Sequence, residues 1–416
     1  MQRNPGWPRR AERAFWRNVA LDLVAAAGVG VTLALVGSML PSVARKGGLD
    51  PIGLAALSAA PFLANLLSGF AGRYGPRTPV QSGILRAAGA GLMLVLLVTA
   101  AAPVLILAAL GFWISLSFTA PLQLRLWGAM YPSRMRGRVV GAVGTSRAAA
   151  AAITALVAGV LADRLGGTTV IAIGSAVGVL AAFAYLGFRV PPTTPPPRFS
   201  PREAVRILQD RPVLRRIVLA QGFYGGGLIA AAPLFALVYI DRLGLSLTEV
   251  GIVGVLGAAA TTLSYYAWGT AADRFGPLLL LRVGSVVGLT ALVVIALTPT
   301  VLLLWPATLA AGVAGAAIDL GINTTLSDET PLESRAGALA GWNTLTGARG
   351  LAAPFIAGGL VQLGLVSVTT ALLLCAAVGA IGVVLFTRVA GARTGRITTE
   401  TGIYTVPAGS PRPIAS

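Results

Sequence analysis

The sequence predicts an all-α, polytopic membrane protein with twelve transmembrane helices, and three observations support this fold class. Of the 416 residues, 56% are hydrophobic and only 11% are charged, whereas soluble domains have about 45–50% apolar and about 25% charged residues. Apolar runs long enough to cross about 30 Å of hydrocarbon recur along the chain. These runs are continuously apolar, whereas the strands of a membrane barrel alternate in polarity over about ten residues.

The first apolar run follows an arginine-rich amino terminus, residues 1–17, and it is too long for the core of a signal peptide. It is therefore expected to remain as the first helix. The predicted helices lie near residues 18–43, 51–71, 79–99, 103–125, 138–161, 168–188, 216–240, 250–270, 278–297, 301–325, 337–361 and 366–388.

The distribution of basic residues predicts the orientation, because loops rich in arginine and lysine stay in the cytoplasm. One set of alternating loops, which begins with the amino terminus, holds most of the arginines; the other set has only Arg45, Lys46, Arg164 and Arg242. Both termini are therefore expected on the cytoplasmic side of the inner membrane. Because the basic residues form no single face, the net charge of +18 does not indicate a nucleic-acid partner.

A central hydrophilic segment, residues 189–215, divides the predicted helices into two groups of six, at residues 18–188 and 216–388. The segment opens with the sequence PPTTPPP, which favours an extended conformation. The tail, residues 389–416, is rich in glycine, proline, serine and threonine and is expected to be disordered.

A short cytoplasmic helix is predicted inside the central segment. Ser200 and Glu203 have the spacing of a capping box, and Pro201 occupies the first helical position. The apolar sequence AVRIL follows, and Pro212 is expected to end the helix.

Residue types that the chain lacks exclude several kinds of site. Histidine, the commonest metal ligand and proton relay, is absent. The single cysteine, Cys375, allows no disulfide within the chain. The only lysine, Lys46, is followed by glycine, so no phosphate-binding P-loop exists. No metal or other cofactor is expected, and the energy for any work must come from a gradient or a separate subunit.

The two halves share short repeated segments at an offset of about 200 residues, a pattern that many transporter folds display. The sequence GRYGP at residues 72–76 corresponds to DRFGP at residues 273–277, each between the second and third helices of its half. PSRMRG at residues 132–137 corresponds to PLESRA at residues 331–336, each between the fourth and fifth helices.

These loops resemble those of the major facilitator superfamily, whose signature loop after the second helix of a half reads roughly GxxxDRxGRR. GTAADRFG at residues 269–276 matches the core of that motif, and the first-half loop keeps Arg73, Gly75 and Arg77 but has Gly72 in place of the aspartate. The resemblance covers about residues 15–390.

The resemblance implies two pseudo-symmetric six-helix bundles with a substrate cavity between them, and alternating access by a rocking motion. It implies a monomeric secondary transporter of a small-molecule solute, embedded in the lipid bilayer. A non-transporting receptor or a membrane-embedded enzyme on the same fold is the alternative. In the superfamily the signature loop acts as a conformational latch, so Asp273 and Arg274, and with them Arg73 and Arg77, are expected to gate the cavity. Alternatively, these arginines only determine topology.

Four charged residues are the candidates for functional charges inside the bilayer, namely Asp22, Arg147, Asp319 and Arg349. A charge there costs at least about 2.5–3.5 kcal/mol and normally faces water or a partner. Asp319 and Arg349 lie at similar depth on consecutive antiparallel helices, which predicts an ion pair with a role in substrate binding, in coupling or only in structure. Asp22 is the predicted partner of Arg147. The alternatives are that Arg147 binds an anionic substrate and that Asp22 stabilises the start of its helix.

Polar side chains at helical spacing are the expected solute contacts, because the resemblance implies that the first and fourth helices of each half line the cavity. Hydrogen bonding between helices is the alternative. They are Ser115, Thr119 and Gln123 in the fourth helix, Gln221 and Tyr224 in the seventh, and Asn323 in the tenth.

Coupling to protons would require a carboxylate that titrates during transport. Without histidine, the candidates are Asp319 and Asp22. Export is favoured slightly over import because the abundant alanine, leucine and valine residues predict apolar cavity walls.

Overall fold

The computed structural model describes residues 9–190, 200–331, 334–389, 395–399 and 402–406. The helices of the first half are α1 Arg9–Leu33, α2 Leu40–Lys46, α3 Pro51–Leu67, α4 Ala71–Tyr74, α5 Pro79–Leu92, α6 Ala102–Met130, α7 Ser133–Leu165 and α8 Gly167–Ala182. The π-helical segment Ala34–Met39 joins α1 to α2, and 3-10 turns occupy Ser68–Phe70, Met93–Leu97 and Phe183–Gly187.

The second half has the same arrangement of long helices. They are α9 Pro201–Gln209, α10 Pro212–Ala236, α11 Leu247–Phe275, α12 Pro277–Leu297, α13 Val301–Glu329, α14 Arg335–Gln362 and α15 Val368–Thr387. The π-helical segment Leu237–Arg242 extends α10. Strands β1 Gly395–Thr399 and β2 Gly402–Val406 pair antiparallel. Both strands fall within the predicted tail. The other residues of the tail from 390 onward lie outside the described part of the chain, so the disorder of the tail stays a prediction.

The all-α class is confirmed, and a helix lies at each predicted position. Among the described residues, ten helices are long and apolar enough to cross a membrane. Of the two remaining positions, one holds the shorter apolar helix α3 and the other holds α14.

Several helices begin where side chains satisfy the first backbone N–H groups. Ser200 and Glu203 form both bonds of a capping box, so the short helix predicted in the central segment is present as α9. Ser246 and Glu249 form the same box at the start of α11. The carboxylate of Asp50 accepts from the N–H of Gly53 at 2.7 Å and starts α3 after a tight turn.

Two seams of close helix packing join the halves. α7 meets α11 at Gly159 and Gly251, and α3 meets α14 at Gly347 and Gly358. A Cβ atom added at any of these four glycines would lie less than 3 Å from the backbone of the opposite helix. Small residues are therefore required at both crossings, as is usual where membrane helices approach closely.

The two ends of the molecule differ. We call the end where α1 begins the terminal end, and the end where α2 stops and α3 starts the distal end. At the distal end, Arg45 of the first half makes a bidentate pair with Asp241 of the second, with Nε 2.9 Å from both carboxylate oxygens. Toward the terminal end, an added Cβ at Gly141, Gly144 or Gly269 meets no described heavy atom within 4 Å. Along the α7–α11 seam the halves therefore touch at the distal end and leave open space toward the terminal end, whereas the α3–α14 seam continues from Gly358 at Pro51 to Gly347 at Leu66.

Candidate functional site

Asp22, near the middle of α1, is buried against one face of α6. Its carboxylate accepts hydrogen bonds from Gln123 Nε2 at 3.1 Å, Trp127 Nε1 at 2.8 Å and the Tyr131 hydroxyl at 3.0 Å. The three donors are spaced four residues apart, so they share one helical face. Tyr185 donates in turn to Gln123 Oε1. Four neutral side chains thus hold a buried carboxylate in place.

The predicted contact of Asp22 with Arg147 is wrong for this structure, since no ion pair joins them among the described residues. Gly30 of α1 packs against the backbone carbonyl of Arg147. Gly30 follows Asp22 by eight residues, or about 12 Å along a helix. Arg147 therefore lies much deeper than the carboxylate that it was expected to meet.

Arg86 of α5 contacts this cluster at Tyr185. Its Nε donates to Thr119 Oγ1 at 3.1 Å, and its guanidinium lies 4.9 Å from the centroid of the Tyr185 ring. Sequence reasoning counted Arg86 with the loop arginines and named it at no site, although it lies inside the helix predicted at 79–99. The structure places Arg86 two turns after the Thr78 cap, where α5 begins.

The predicted Asp319–Arg349 ion pair is also absent among the described residues. Asp319 accepts from the Tyr265 hydroxyl at 2.6 Å and from Asn323 Nδ2 at 3.1 Å. Arg349 donates to the backbone oxygen of Gln221 at 2.7 Å. The ion pair does not form because the helices have different neighbours: α13 packs mainly on α11 and α12, whereas α14 packs on α3, α9 and α10. The two helices follow each other in sequence but are not close neighbours.

Some predicted solute contacts instead serve helix packing. Tyr224 is buried between α12 and α15, with its ring 6.1 Å from that of Phe386. Ser115 and Thr119 are fully buried, and their hydroxyls donate to carbonyls of their own helix. Gln221 is buried too, and its Oε1 has no hydrogen-bond partner among the described residues. Gln123 and Asn323 remain beside charged groups.

The gating residues are described only in part. Arg274 lies at the end of α11 with its guanidinium 5.1 Å from the centroid of the Phe275 ring, and Asp273 precedes it. The backbone N–H of Arg77 donates to Gln81 Oε1 at 2.8 Å in the turn before α5. The side chain of Arg73 lies outside the described part of the chain. Their role as latches stays a prediction.

Two adjoining cavities share part of their lining: a polar chamber, whose described lining residues all belong to the first half, and an apolar chamber between the halves. The polar chamber, about 650 Å³, is lined by charged and aromatic side chains including Asp22, Arg86, Arg147 and Trp127. The apolar chamber, about 550 Å³, lies closer to the distal end and takes its walls from both halves. Leu33, Pro61 and Trp113 line both chambers. The two chambers together can accommodate a solute with both polar and apolar parts.

Two halves of repeated helical architecture, with chambers that hold intramembrane charges, are typical of a membrane carrier. The sequence model of the Major Facilitator Superfamily matches residues 23–301 and 217–409. The chain belongs to this superfamily, as its signature loops predicted. Membership supports a secondary transporter in a membrane setting rather than an enzyme.

Solved structures with the same fold include two transporters. The nucleoside transporter NupG, in a point-mutant form, superposes with a TM-score of 0.72 at 14% identity and covers 89% of this chain and 99% of its own. A bacterial homolog of the human lysosomal transporter Spinster, inward-facing and occupied, has a TM-score of 0.69 at 15% identity and covers 92% and 97%. Similarity at this identity shows the fold alone. No curated protein matches the sequence significantly.

Proposed function

We propose that this chain is a secondary active transporter that exports a small solute from the cytoplasm by rocker-switch alternating access. In this proposal residues 18–188 and 216–388 each form one bundle that moves as a body, and the protein works as a monomer. The observation that carries the proposal is the pair of adjoining chambers, one of them walled by both halves, beside an α7–α11 seam that is closed at its distal end and open toward its terminal end.

The arginine-rich terminal end is taken as cytoplasmic, by the positive-inside rule. The halves touch at the distal end through Arg45 and Asp241, and the α7–α11 seam is open toward the terminal end. This arrangement corresponds to an inward-facing state of the carrier. Transport then requires the distal contacts to part while the terminal ends of α7 and α11 come together.

Asp22 is the coupling carboxylate in this proposal. It lines the polar chamber, yet it is 1% exposed and is held by neutral donors, with no ion-pair partner among the described residues. A buried carboxylate without a cationic partner is costly to keep charged, so its protonation depends on which side the cavity faces. Proton entry from outside would then drive export of the solute. The apolar walls of the apolar chamber favour export over import in this proposal.

The proposal is tested with purified protein screened by thermal shift against a solute library, followed by transport of the hits in proteoliposomes under a pH gradient. We expect hits that are transported, with stimulation by the gradient that Asp22→Asn removes. Asp210→Asn, on the surface of α9, is the matched control and should behave as wild type. Hits that bind without being transported would indicate a receptor, and chemical conversion of a hit would indicate an enzyme.

A further inference from the structure

Arg147 and Asp319 both remain without an ion-pair partner among the described residues, and they come from opposite halves. Arg147 is exposed, lines the polar chamber and makes no side-chain hydrogen bond to any described residue. Asp319 is also exposed, and its donors Tyr265 and Asn323 are neutral. A guanidinium has five N–H donors, and a carboxylate has about four lone-pair sites. Both charges therefore keep capacity for a ligand.

The two charges lie at similar depth. Arg147 precedes the Gly159 crossing by 12 residues, and Tyr265 follows the Gly251 crossing by 14, which places them about 18 Å and about 21 Å from the seam toward the terminal end. The Tyr265 hydroxyl binds Asp319, and Arg147 is near enough for its charge to act on that hydroxyl. One tyrosine of the second half is thus near both the cation of the first half and the anion of its own half.

The orientation of Asp319 is set by its own half. The Tyr265 hydroxyl binds one carboxylate oxygen and Asn323 Nδ2 binds the other. Holding a carboxylate from both sides favours one rotamer, which is the usual preparation of a binding group. Arg147, by contrast, extends from α7 into the polar chamber, where Arg86 is already bonded to Thr119. Arg147 is therefore the cation available to a ligand.

From this geometry we propose that the solute is zwitterionic: its anionic group binds Arg147, its cationic group binds Asp319, and its apolar part extends into the apolar chamber. This inference rests on the transport function proposed above and specifies its substrate class. A solute with both charges bridges the halves when the terminal end closes. A solute with one charge leaves either Arg147 or Asp319 unpaired in a cavity that excludes water, which is unfavourable.

The test uses a thermal-shift library balanced among zwitterions, anions, cations and neutral compounds, with matched triads of an aromatic α-amino acid, its amide and its N-acetyl derivative. We expect the hits to be zwitterions. Arg147→Gln and Asp319→Asn should each raise the dissociation constant of a hit about tenfold or more, because each removes a charge-assisted hydrogen bond. Arg164→Gln on α7 and Asp328→Asn on α13 are the matched controls and should bind as wild type.

The double variant Arg147→Glu with Asp319→Arg should bind the zwitterion in reversed orientation and regain affinity that each single reversal loses. Hits of one charge type, unaffected by the amide or acetyl change, would overturn the inference and leave the transport proposal intact. A double variant that restores only the melting temperature of the ligand-free protein would also overturn it, since the two residues would then be a structural pair. A folded protein with no hit of any charge type contradicts both proposals.

Discussion

The two ends of the α7–α11 interface differ in how closely the two helices approach each other. At the distal end, Gly159 and Gly251 bring the backbones into contact, and an added Cβ at Gly159 would lie 2.7 Å from the Leu247 carbonyl oxygen. Toward the terminal end of the same helix, Gly141 has open space on its surface. At the distal end glycine permits a helix contact that is already made. Toward the terminal end it leaves space into which the opposite helix can move. The closed end should be sensitive to substitution in the ligand-free protein, and the open end should not.

The largest effect is expected at the distal crossing. Gly159→Ala forces a methyl group against the α11 backbone, and overpacking of this kind costs about 1–3 kcal/mol. Gly141→Ala on the same helix meets nothing and removes a helix-weakening glycine, so it should be neutral or stabilising by up to about 1 kcal/mol. Thermal unfolding of the two variants in detergent measures the difference. Equal losses in both would show that the ends do not differ in packing.

The second effect concerns Asp163, which joins α7 to the start of α11. Its carboxylate accepts from the backbone N–H groups of Leu247 at 3.0 Å and Thr248 at 2.9 Å, and from the Thr248 hydroxyl at 2.7 Å. It therefore caps a helix of the other half. Asp163→Ala should cost about 1–2 kcal/mol, as the loss of an N-cap does.

Hydrogen exchange of the first turn of α11 provides the readout for this variant. We expect faster exchange at Leu247 and Thr248 and little change in the first turn of α3, where Asp50 is the cap. Unchanged protection of Leu247 and Thr248 would mean that Ser246 and Glu249 suffice to hold that helix start.

Sequence reasoning predicted the all-α class and the positions of the helices because bilayer thickness imposes a length that composition reveals directly. The capping box at Ser200 was equally readable, since its physics is confined to four residues. The role of the polar stripe of α6 as a solute contact stays a prediction. Gln123 reaches Asp22, whereas Ser115 and Thr119 bond to their own backbone.

The charge pairs could not be predicted in the same way. Depth along the membrane follows from residue counts, but the lateral order of helices does not, so Asp319 and Arg349 were matched in depth on helices that pack elsewhere. Asp22 and Arg147 failed on depth itself, because Arg147 lies opposite Gly30, eight residues beyond Asp22 on α1. Tyr265 as the partner of Asp319 had no local signal, since 54 residues separate them.

The third effect concerns the ion pair between the halves at the distal end. Asp241→Ala removes the bidentate partner of Arg45, and because both side chains are partly exposed the pair is worth only about 0.2–1 kcal/mol. That is enough to shift the balance between inward- and outward-facing states by up to about fivefold. Spin labels at Val98→Cys and Leu363→Cys, in the distal loops of the two halves, should report a larger population of long distances. A distribution identical to that of the unsubstituted pair would exclude this contact as part of the closure.

The smallest effect is expected from Lys46→Gln. Lys46 Nζ lies 3.7 Å from Asp163 Oδ1, and the Lys46 side chain is 51% exposed, so the pair is weak and screened. Both residues belong to the first half, so the pair cannot hold the halves together directly. The same spin labels should show no change in Lys46→Gln, in contrast with Asp241→Ala. If Lys46→Gln opened the distal end as strongly as Asp241→Ala, closure would depend on the total positive charge at the end of α2. The specific pair of Arg45 with Asp241 would then not be what holds the distal end closed.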